Sequence, residues 1–423
     1  MPTKVINFGC RLNSFEAEII KQKSKEAGLD QCNQEVIIFN SCAVTKEALR
    51  QTKQSIRKTA RENKNAKIIV TGCGAQTNSL DFSAMSEVDF VIGNNDKLET
   101  STYANIKNSF NLEKYEKVIV NDIMSIKENI PHMIDAVAHN ARSYVQVQNG
   151  CDHNCTFCII PFGRGRSRSV PIGAIIDQIS RLLDKGLYEI VLTGVDLTSY
   201  GADLPGRPCL ATLIKDIFTF VPNLKRLRLS SIDSIEVNNE LFELLAYEKR
   251  IMPHLHLSLQ SGNNLILKRM KRRHSREDAI LFCTKLLKER PKMVFGADLI
   301  AGFPTETDEM FEATKDLIND CNLTFLHVFP FSAHEIVPAS RMPQVEKNII
   351  KKRASILRQK GQEALLKHLK TKVDSVEEIL VESTKLGRTG DYCTVRLNHN
   401  KKYIPGSIIT CKIKTYNDNY LII

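Results

Sequence analysis

The chain runs to 423 residues, 42% of them apolar and 25% charged, a composition that excludes a disordered tail or low-complexity scaffold and leaves room for two or three domains. No apolar run approaches the ~18 residues of a membrane span, and Met1 to Asn13 holds no signal-peptide core, so the expectation is a cytoplasmic protein with no membrane partner. The 59 Lys and Arg outnumber the 48 Asp and Glu, for a net charge of +11, which suits a polyanionic partner. Twelve cysteines in a reducing compartment point to metal or redox chemistry rather than to disulfides. Trp is absent, so any base stacking falls to Phe, Tyr, His or Arg.

Along residues 1–123, short apolar runs (Val5–Phe8, Val36–Phe39, Ile68–Val70, Val88–Ile92, Val118–Val120) alternate with helical patterns. Ser14–Ala27 is closed by Gly28, and Thr45–Glu62 is opened by Thr45 as N-cap. Strand–helix–strand alternation predicts a parallel sheet with helices on its faces. The first three strands each end in a cysteine, in Phe8-Gly9-Cys10, Asn40-Ser41-Cys42 and Thr71-Gly72-Cys73. In a parallel sheet the carboxyl ends of the strands share one edge, where ligands bind, so Cys10, Cys42 and Cys73 are expected to meet in space.

Residues 124–142 read as a polar connector. The alternation then resumes with Tyr144–Gln148, Glu189–Thr193, Arg226–Ser230, His254–Leu259, Val294–Ile300 and Phe325–Phe331 as strands, and with Ile172–Lys185 and Arg276–Glu289 among the helices. Six such units predict a partial α/β barrel rather than a closed eight-stranded one. Lys347–Lys372 carries nine Lys and Arg and one Glu. Beyond it, Val376–Glu382, Tyr392–Leu397, Lys402–Ile404, Ser407–Lys414 and Tyr420–Ile423 read as a small five-stranded barrel of the oligonucleotide-binding type.

The sharpest motif closes the first strand of the second region: Cys151-Asp152-His153-Asn154-Cys155-Thr156-Phe157-Cys158. Thiolates in so tight a loop bind zinc or an iron–sulfur cluster. Three thiolates on a four-iron cluster leave one iron open, and His153 is the one local candidate for a fourth ligand. A structural zinc site completed by a distant residue is the plainer alternative. Thr193-Gly194-Val195-Asp196, Ser230, Ser231, Ser258 and Gln260 supply small or polar groups at strand ends, and Asp298, Gly302 and Glu306 lie in the Gly296–Pro304 region. Three basic groups stand out as candidate phosphate contacts. They are Arg164, Arg166 and Arg168; the run from Lys268 to Arg276; and the Thr45–Lys64 helix, with seven Lys and Arg against two Glu. Cys32, Cys209, Cys283, Cys321, Cys393 and Cys411 fit no ligand spacing.

The Cys-x₃-Cys-x₂-Cys loop at the first strand of a partial barrel resembles the radical S-adenosylmethionine superfamily. The longer string from Gln148 through Cys158-Ile159-Ile160-Pro161-Phe162-Gly163-Arg164-Gly165-Arg166-Ser167-Arg168-Ser169, with Phe8-Gly9-Cys10-Arg11-Leu12-Asn13, resembles the methylthiotransferases. Within them it is most similar to those acting on threonylcarbamoyladenosine in tRNA. The resemblance implies an N-terminal methylthiotransferase α/β domain at 1–123, a radical S-adenosylmethionine partial barrel at 137–368 and a TRAM-like β-barrel at 371–423. It implies two [4Fe-4S] clusters, one on Cys151, Cys155 and Cys158 and an auxiliary one on Cys10, Cys42 and Cys73. S-adenosylmethionine would sit near Gly194, Asp196, Ser231, Gln260 and Asp298. The implied reaction places a methylthio group at C2 of N6-threonylcarbamoyladenosine at position 37 of tRNA, next to the anticodon. The partners would be a tRNA anticodon loop, an electron donor and a sulfur source, with the chain as a monomer. Isopentenyladenosine tRNA or a ribosomal-protein aspartate are alternative substrates for the same chemistry, and a zinc-bearing, non-catalytic RNA-binding protein is the alternative of another class. One segment departs from the family: where Arg-x-Gly-Thr-x-Ala is usual, this chain has His334-Glu335-Ile336-Val337-Pro338-Ala339.

Overall fold

A computed structural model describes residues 3–110, 112, 114–126, 141–398 and 401–423. The expected start of the second domain, at 137, and most of the 124–142 connector lie outside these residues. The first unit is a parallel sheet of five strands: β1 (Lys4–Asn7), β2 (Val36–Ser41), β3 (Lys67–Gly72), β4 (Phe90–Ile92) and β5 (Val118–Ile119), in the spatial order of the chain. Its helices are α1 (Arg11–Glu26), α2 (Lys46–Glu62), α3 (Cys73–Thr77), α4 (Ser79–Ser83) and α5 (Thr100–Ser109). Both faces of the sheet are covered. Ile37, Phe39 and Val70 meet Ile56 and Phe82 on one side, and Ile38, Ile69 and Phe90 meet Ile20, Tyr103 and Ile106 on the other. This is why β2 and β3 read as unbroken apolar runs rather than as alternations.

The barrel follows with β6 (Arg142–Gln146), a short antiparallel pair β7 (Gln148–Asn149) and β8 (Arg168–Ser169), then β9 (Glu189–Thr193), β10 (Arg226–Leu229), β11 (His254–Gln260), β12 (Val294–Ala301) and β13 (Leu323–Pro330). Between these lie α6 (Ile160–Arg164), α7 (Ile172–Asp184), α8 (Leu210–Phe220), α9 (Asn239–Tyr247), α10 (Asn264–Arg269), α11 (Arg276–Glu289) and α12 (Asp308–Asp320). Two parallel three-stranded sheets, β6-β9-β10 and β11-β12-β13, are joined by parallel bridges at Leu227–Ile251 and Ile232–Leu257. The expected six-stranded partial barrel is thus present. Its first strand lies two residues earlier than expected: β6 ends at Gln146, and Gln148 and Asn149 pair with Arg168 and Ser169 instead. That hairpin closes the base of the loop carrying Cys151, Cys155 and Cys158.

A 25-residue helix, α13 (Lys347–Thr371), packs on β12 and β13 and runs unbroken past residue 368 into the last unit. There β14 (Val376–Val381), β15 (Leu386–Thr389), β16 (Thr394–Arg396), β17 (Ile408–Lys412), β18 (Thr415–Tyr416) and β19 (Leu421–Ile422) form one curled sheet, antiparallel except where β16 meets β19. The small all-β unit is present, with four of the five expected strands as β14, β16, β17 and β19, and with β15 and β18 in addition. Lys402–Ile404 is not a strand: it leads into the Pro405-Gly406 turn and leaves Ile404 exposed. Leu386–Thr389 is a strand, concealed in the sequence by Gly387 and Arg388, although Gly387 packs directly on Ile379. No described helix is long and apolar enough to cross a membrane.

Two cysteine triads at one seam

The three N-terminal cysteines lie at the carboxyl ends of three adjacent strands. Cys10 caps the start of α1, Cys42 follows Ser41, and Cys73 opens α3 directly after β3. Their sulfurs are close enough to perturb one another electrostatically. Gly72 makes the third turn possible. It sits at φ +93°, and a Cβ there would lie 2.4 Å from the Ser41 carbonyl oxygen, a conformation and a space open only to glycine. Backbone and amide donors already face the sulfurs: Val44 N–H reaches Cys42 Sγ at 3.5 Å, and Asn94 Nδ2 reaches Cys73 Sγ at 3.5 Å.

The second triad occupies the loop between β7 and α6. Gly150, at φ +73°, lies so close to the Arg166 carbonyl that a Cβ would stand 1.8 Å from that oxygen, so the loop closes only with glycine there. His153 N–H donates to Cys151 Sγ at 3.4 Å, and the Arg272 guanidinium approaches Cys155 Sγ at 3.7 Å while also binding Asp233 and the Ser258 carbonyl. Burial pushes the Cys42 and Cys158 thiols up to about 12 and raises Cys73 and Cys151 as well. Two thiols in each triad pushed towards the neutral form by burial, with N–H donors and a guanidinium aimed at sulfur, suit a positive metal centre that binds the deprotonated form and releases protons on binding. All twelve cysteines are free, in keeping with the absence of disulfide spacing.

The triads face one seam. Asn94 also donates to the Gly163 carbonyl at 2.7 Å, and Gly163 packs against Cys73. Ala43, Cys73, Ile159 and Val337 form a small apolar cluster between the two loops. Val337 brings the atypical His334–Ala339 segment to the seam, and Ala339 N–H of the same segment bonds the Thr156 carbonyl.

Below the seam, Arg164 is fully buried. Its guanidinium binds both Glu16 carboxylate oxygens, at 2.7 and 2.9 Å, and Asn13 Oδ1 at 2.7 Å, and Lys97 Nζ meets Glu16 at 2.7 Å. Burial alone would raise the Glu16 carboxyl, but Arg164 and Lys97 outweigh it and bring it down to about 2. The expected surface patch of Arg164, Arg166 and Arg168 therefore does not exist as such. Arg164 and Arg168 are internal, and only Arg166 is exposed. The alternating basic pattern encodes buried counter-ions here, which a charge count cannot distinguish from phosphate contacts. In the Lys268–Arg276 run, Arg272 and Arg276 are likewise turned inward, whereas Lys268, Lys271 and Arg273 remain exposed.

The remaining candidates fall into place around the barrel edge. Gly194 and Asp196 wrap Gln148, whose Oε1 accepts from Val195 and Asp196 N–H at 2.9 Å each. Asp196 in turn holds His153 Nε2 at 2.7 Å and pushes that imidazole up to about 10, so the local candidate for a fourth cluster ligand is engaged elsewhere. Ser231 Oγ meets Ser258 Oγ at 3.0 Å, and Gln260 closes β11 at φ +69°. Asp298 lies mid-strand in β12, below the edge, between His256 at 2.9 Å and His327 at 3.3 Å. Sequence reasoning missed Asn94 and Asp233, whose types and spacing carry no motif; it met Gln148 only as the start of the family string and Arg272 only as part of a basic run, and the fold alone brings all four to the cysteine loops.

The class follows from these features together with the comparisons. Residues 145–318 match the Radical SAM superfamily model, and residues 3–93 match the model described as Uncharacterized protein family UPF0004. The radical S-adenosylmethionine methyltransferase TsrM from Kitasatospora setae, solved with its tryptophan substrate and an S-adenosylmethionine analogue, shares the fold. Its TM-score is 0.55 at 14% identity, over 76% of this chain and 66% of that one. Two proteins named threonylcarbamoyladenosine tRNA methylthiotransferase MtaB are similar throughout. That of Rickettsia prowazekii (strain Madrid E) is 51% identical over 99% of this chain and 96% of its own length. That of Aquifex aeolicus (strain VF5) is 34% identical over 89% and 92%. The chain belongs to the family of radical S-adenosylmethionine tRNA methylthiotransferases.

Proposed function

We propose that this protein inserts a methylthio group at C2 of N6-threonylcarbamoyladenosine at position 37 of tRNA. The observation that carries the reading is the meeting of two cysteine triads at one seam, in a chain 51% identical over almost its whole length to a protein of that name. Cys151, Cys155 and Cys158 hold one [4Fe-4S] cluster, and Cys10, Cys42 and Cys73 hold the second. When bound, the clusters and S-adenosylmethionine supply the radical, sulfur and methyl chemistry that an unactivated aromatic C–H requires and that side-chain acids and bases cannot provide.

The chain's own residues place and insulate that chemistry. Gly150 and Gly72 let the two loops close, and Arg272, Asn94 and the Val44 and His153 amides meet the thiolates with donors. Gly194, Asp196, Ser231 and Gln260 form the cofactor edge, with Asp298 beneath it. Ala43, Ile159 and Val337 keep the seam apolar, which excludes water from reactive species.

The units at 1–123, 137–368 and 371–423 act as auxiliary-cluster domain, radical barrel and TRAM-like RNA-binding module. The anticodon loop is held by exposed cations of α2 (Arg50, Arg57, Lys58, Arg61) and of α13 (Lys351, Lys352, Arg358, Lys367). The protein works in the cytoplasm as a monomer, with an external electron donor and sulfur source.

Nucleoside mass spectrometry of tRNA from cells with and without the gene tests the assignment. Loss of the methylthio form alone, with threonylcarbamoyladenosine accumulating, is the expected result. An unchanged profile overturns it.

A further inference from the structure

Arg11 directly follows Cys10, and its guanidinium crosses from the N-terminal unit into the barrel lumen. Nη1 donates to the Ser230 carbonyl at the end of β10 at 3.3 Å, and Nη2 donates to the Tyr392 hydroxyl at 3.1 Å. Ser230 opens a short path to the other triad: Ser231 meets Ser258, and Arg272 links Ser258 and Asp233 to Cys155. Arg11 thus links the first triad's own loop to the strand-end network that reaches Cys155.

Its charge is unmatched. Four other arginines share this region: Arg142, Arg228 and Arg388 stand, like Arg11, within 5.5 Å of the Tyr392 ring centre, and Arg226 lies beside Glu189. Their carboxylates are Glu189, bonded to Arg228 at 2.6 Å, and Glu382, ion-paired with Arg142 at 2.9 Å and bonded to Arg388 at 2.7 Å, with the exposed Glu378 at 4.0 Å from Arg226. Among the described residues, no carboxylate lies within ion-pairing distance of Arg11, and Arg228 Nη1 is buried without a hydrogen-bond partner. Of the other acids described around these residues, Asp298 is taken up by His256 and His327, and Asp233 by Arg272. A guanidinium has five N–H donors, and Arg11 spends two on neutral oxygens. A half-buried cation with spare donors and surplus positive charge around it fits an anion.

We propose that Arg11 is a specificity-determining residue that binds the carboxylate of the threonylcarbamoyl group, so that the enzyme selects this nucleoside over one with an apolar N6 substituent. The inference rests on the reading of the substrate given above. The threonyl carboxylate is ionised at neutral pH and is the one charged feature of that substituent, where an isopentenyl group is a hydrocarbon. A cation one residue from the auxiliary triad can reach the Watson–Crick edge of an adenine whose C2 lies between the triads.

The test uses the cluster-loaded protein and anticodon stem-loop RNAs carrying either threonylcarbamoyladenosine or its neutral threonine amide. With wild-type protein, kcat/KM on the amide should fall by about ten- to a hundredfold, the usual worth of a hydrogen bond to a charged group. Binding measured by fluorescence anisotropy without reductant should follow the same order. In Arg11→Gln the preference for carboxylate over amide should collapse towards one, chiefly through KM, and Arg11→Lys should restore part of it. Iron and sulfide counts confirm that the variants are loaded. Equal use of both RNAs by wild-type protein, or full discrimination retained by Arg11→Gln, overturns the inference. If Arg11→Gln does not load, the wild-type comparison and Arg11→Lys decide. Failure of wild-type protein to methylthiolate the threonylcarbamoyl RNA at all would instead overturn the proposed function.

Discussion

Glu16 shows how a single side chain decides whether the seam can exist. Its carboxylate is the sole acid among the described residues bonded to Arg164 and Lys97, and all three are fully buried. Glu16→Gln would leave two buried cations without a counter-charge, a loss of roughly 3–5 kcal/mol, read as a lower denaturation midpoint of the anaerobic protein. The pH dependence has a definite sign. The carboxyl is brought from an ordinary 4.5 down to about 2 in the folded chain. Its contribution is therefore complete above about pH 4.5 and is lost as the pH falls towards 2. Acid titration of the metal-free protein should show that loss in the wild type and not in Glu16→Gln.

The strand-to-helix turns are where the chemistry is set. Gly72→Ala would force a Cβ against the Ser41 carbonyl at a left-handed backbone position, so the turn must reopen and Cys73 must move. The barrel loop is untouched by that change. Iron after anaerobic reconstitution should therefore fall from about eight per chain to about four, with the remaining spectrum that of one cluster. Equal loss of both clusters would contradict independent turns.

These turns were also the most legible part of the sequence, because a Gly or Ser before a cysteine at a strand end is a local signal. The strands of the last unit were less so. Lys402–Ile404 has the apolar and aromatic content of a strand but runs into Pro405-Gly406. Leu386–Thr389 lacks that content and is made a strand by its partners Ile379 and Val395. Arg164 was visible as a charge and misplaced as surface, because a buried ion pair is encoded jointly by residues 148 positions apart.

The three units also interlock. Arg228, at the foot of the barrel, binds Glu189 and donates to the Thr389 carbonyl of the C-terminal sheet at 2.9 Å, while Arg226 donates to the Glu378 carbonyl and Tyr392 stacks on His254 at 4.7 Å. Arg228→Met should remove charge-assisted bonds worth roughly 1.5–3 kcal/mol each. Hydrogen exchange should then rise in residues 376–423 while β11 to β13 stay protected. Uniform loss of protection would mean that the last unit is part of the barrel's own cooperative core. With α13 running unbroken from the barrel flank into that sheet, the C-terminal unit is tied to the barrel by a helix as well as by these contacts.

The Arg164–Glu16 pair has a consequence for ancestry as well as for folding. The cation comes from the barrel and the anion from α1 of the N-terminal unit, where Glu16 also holds Lys97, so the barrel's buried Arg164 depends on the other half for its counter-ion. A barrel joined to the N-terminal unit of a distant relative would assemble only if the incoming piece brought an acid at the place of Glu16. In such hybrids the two positions should be inherited together, even when every cysteine is matched.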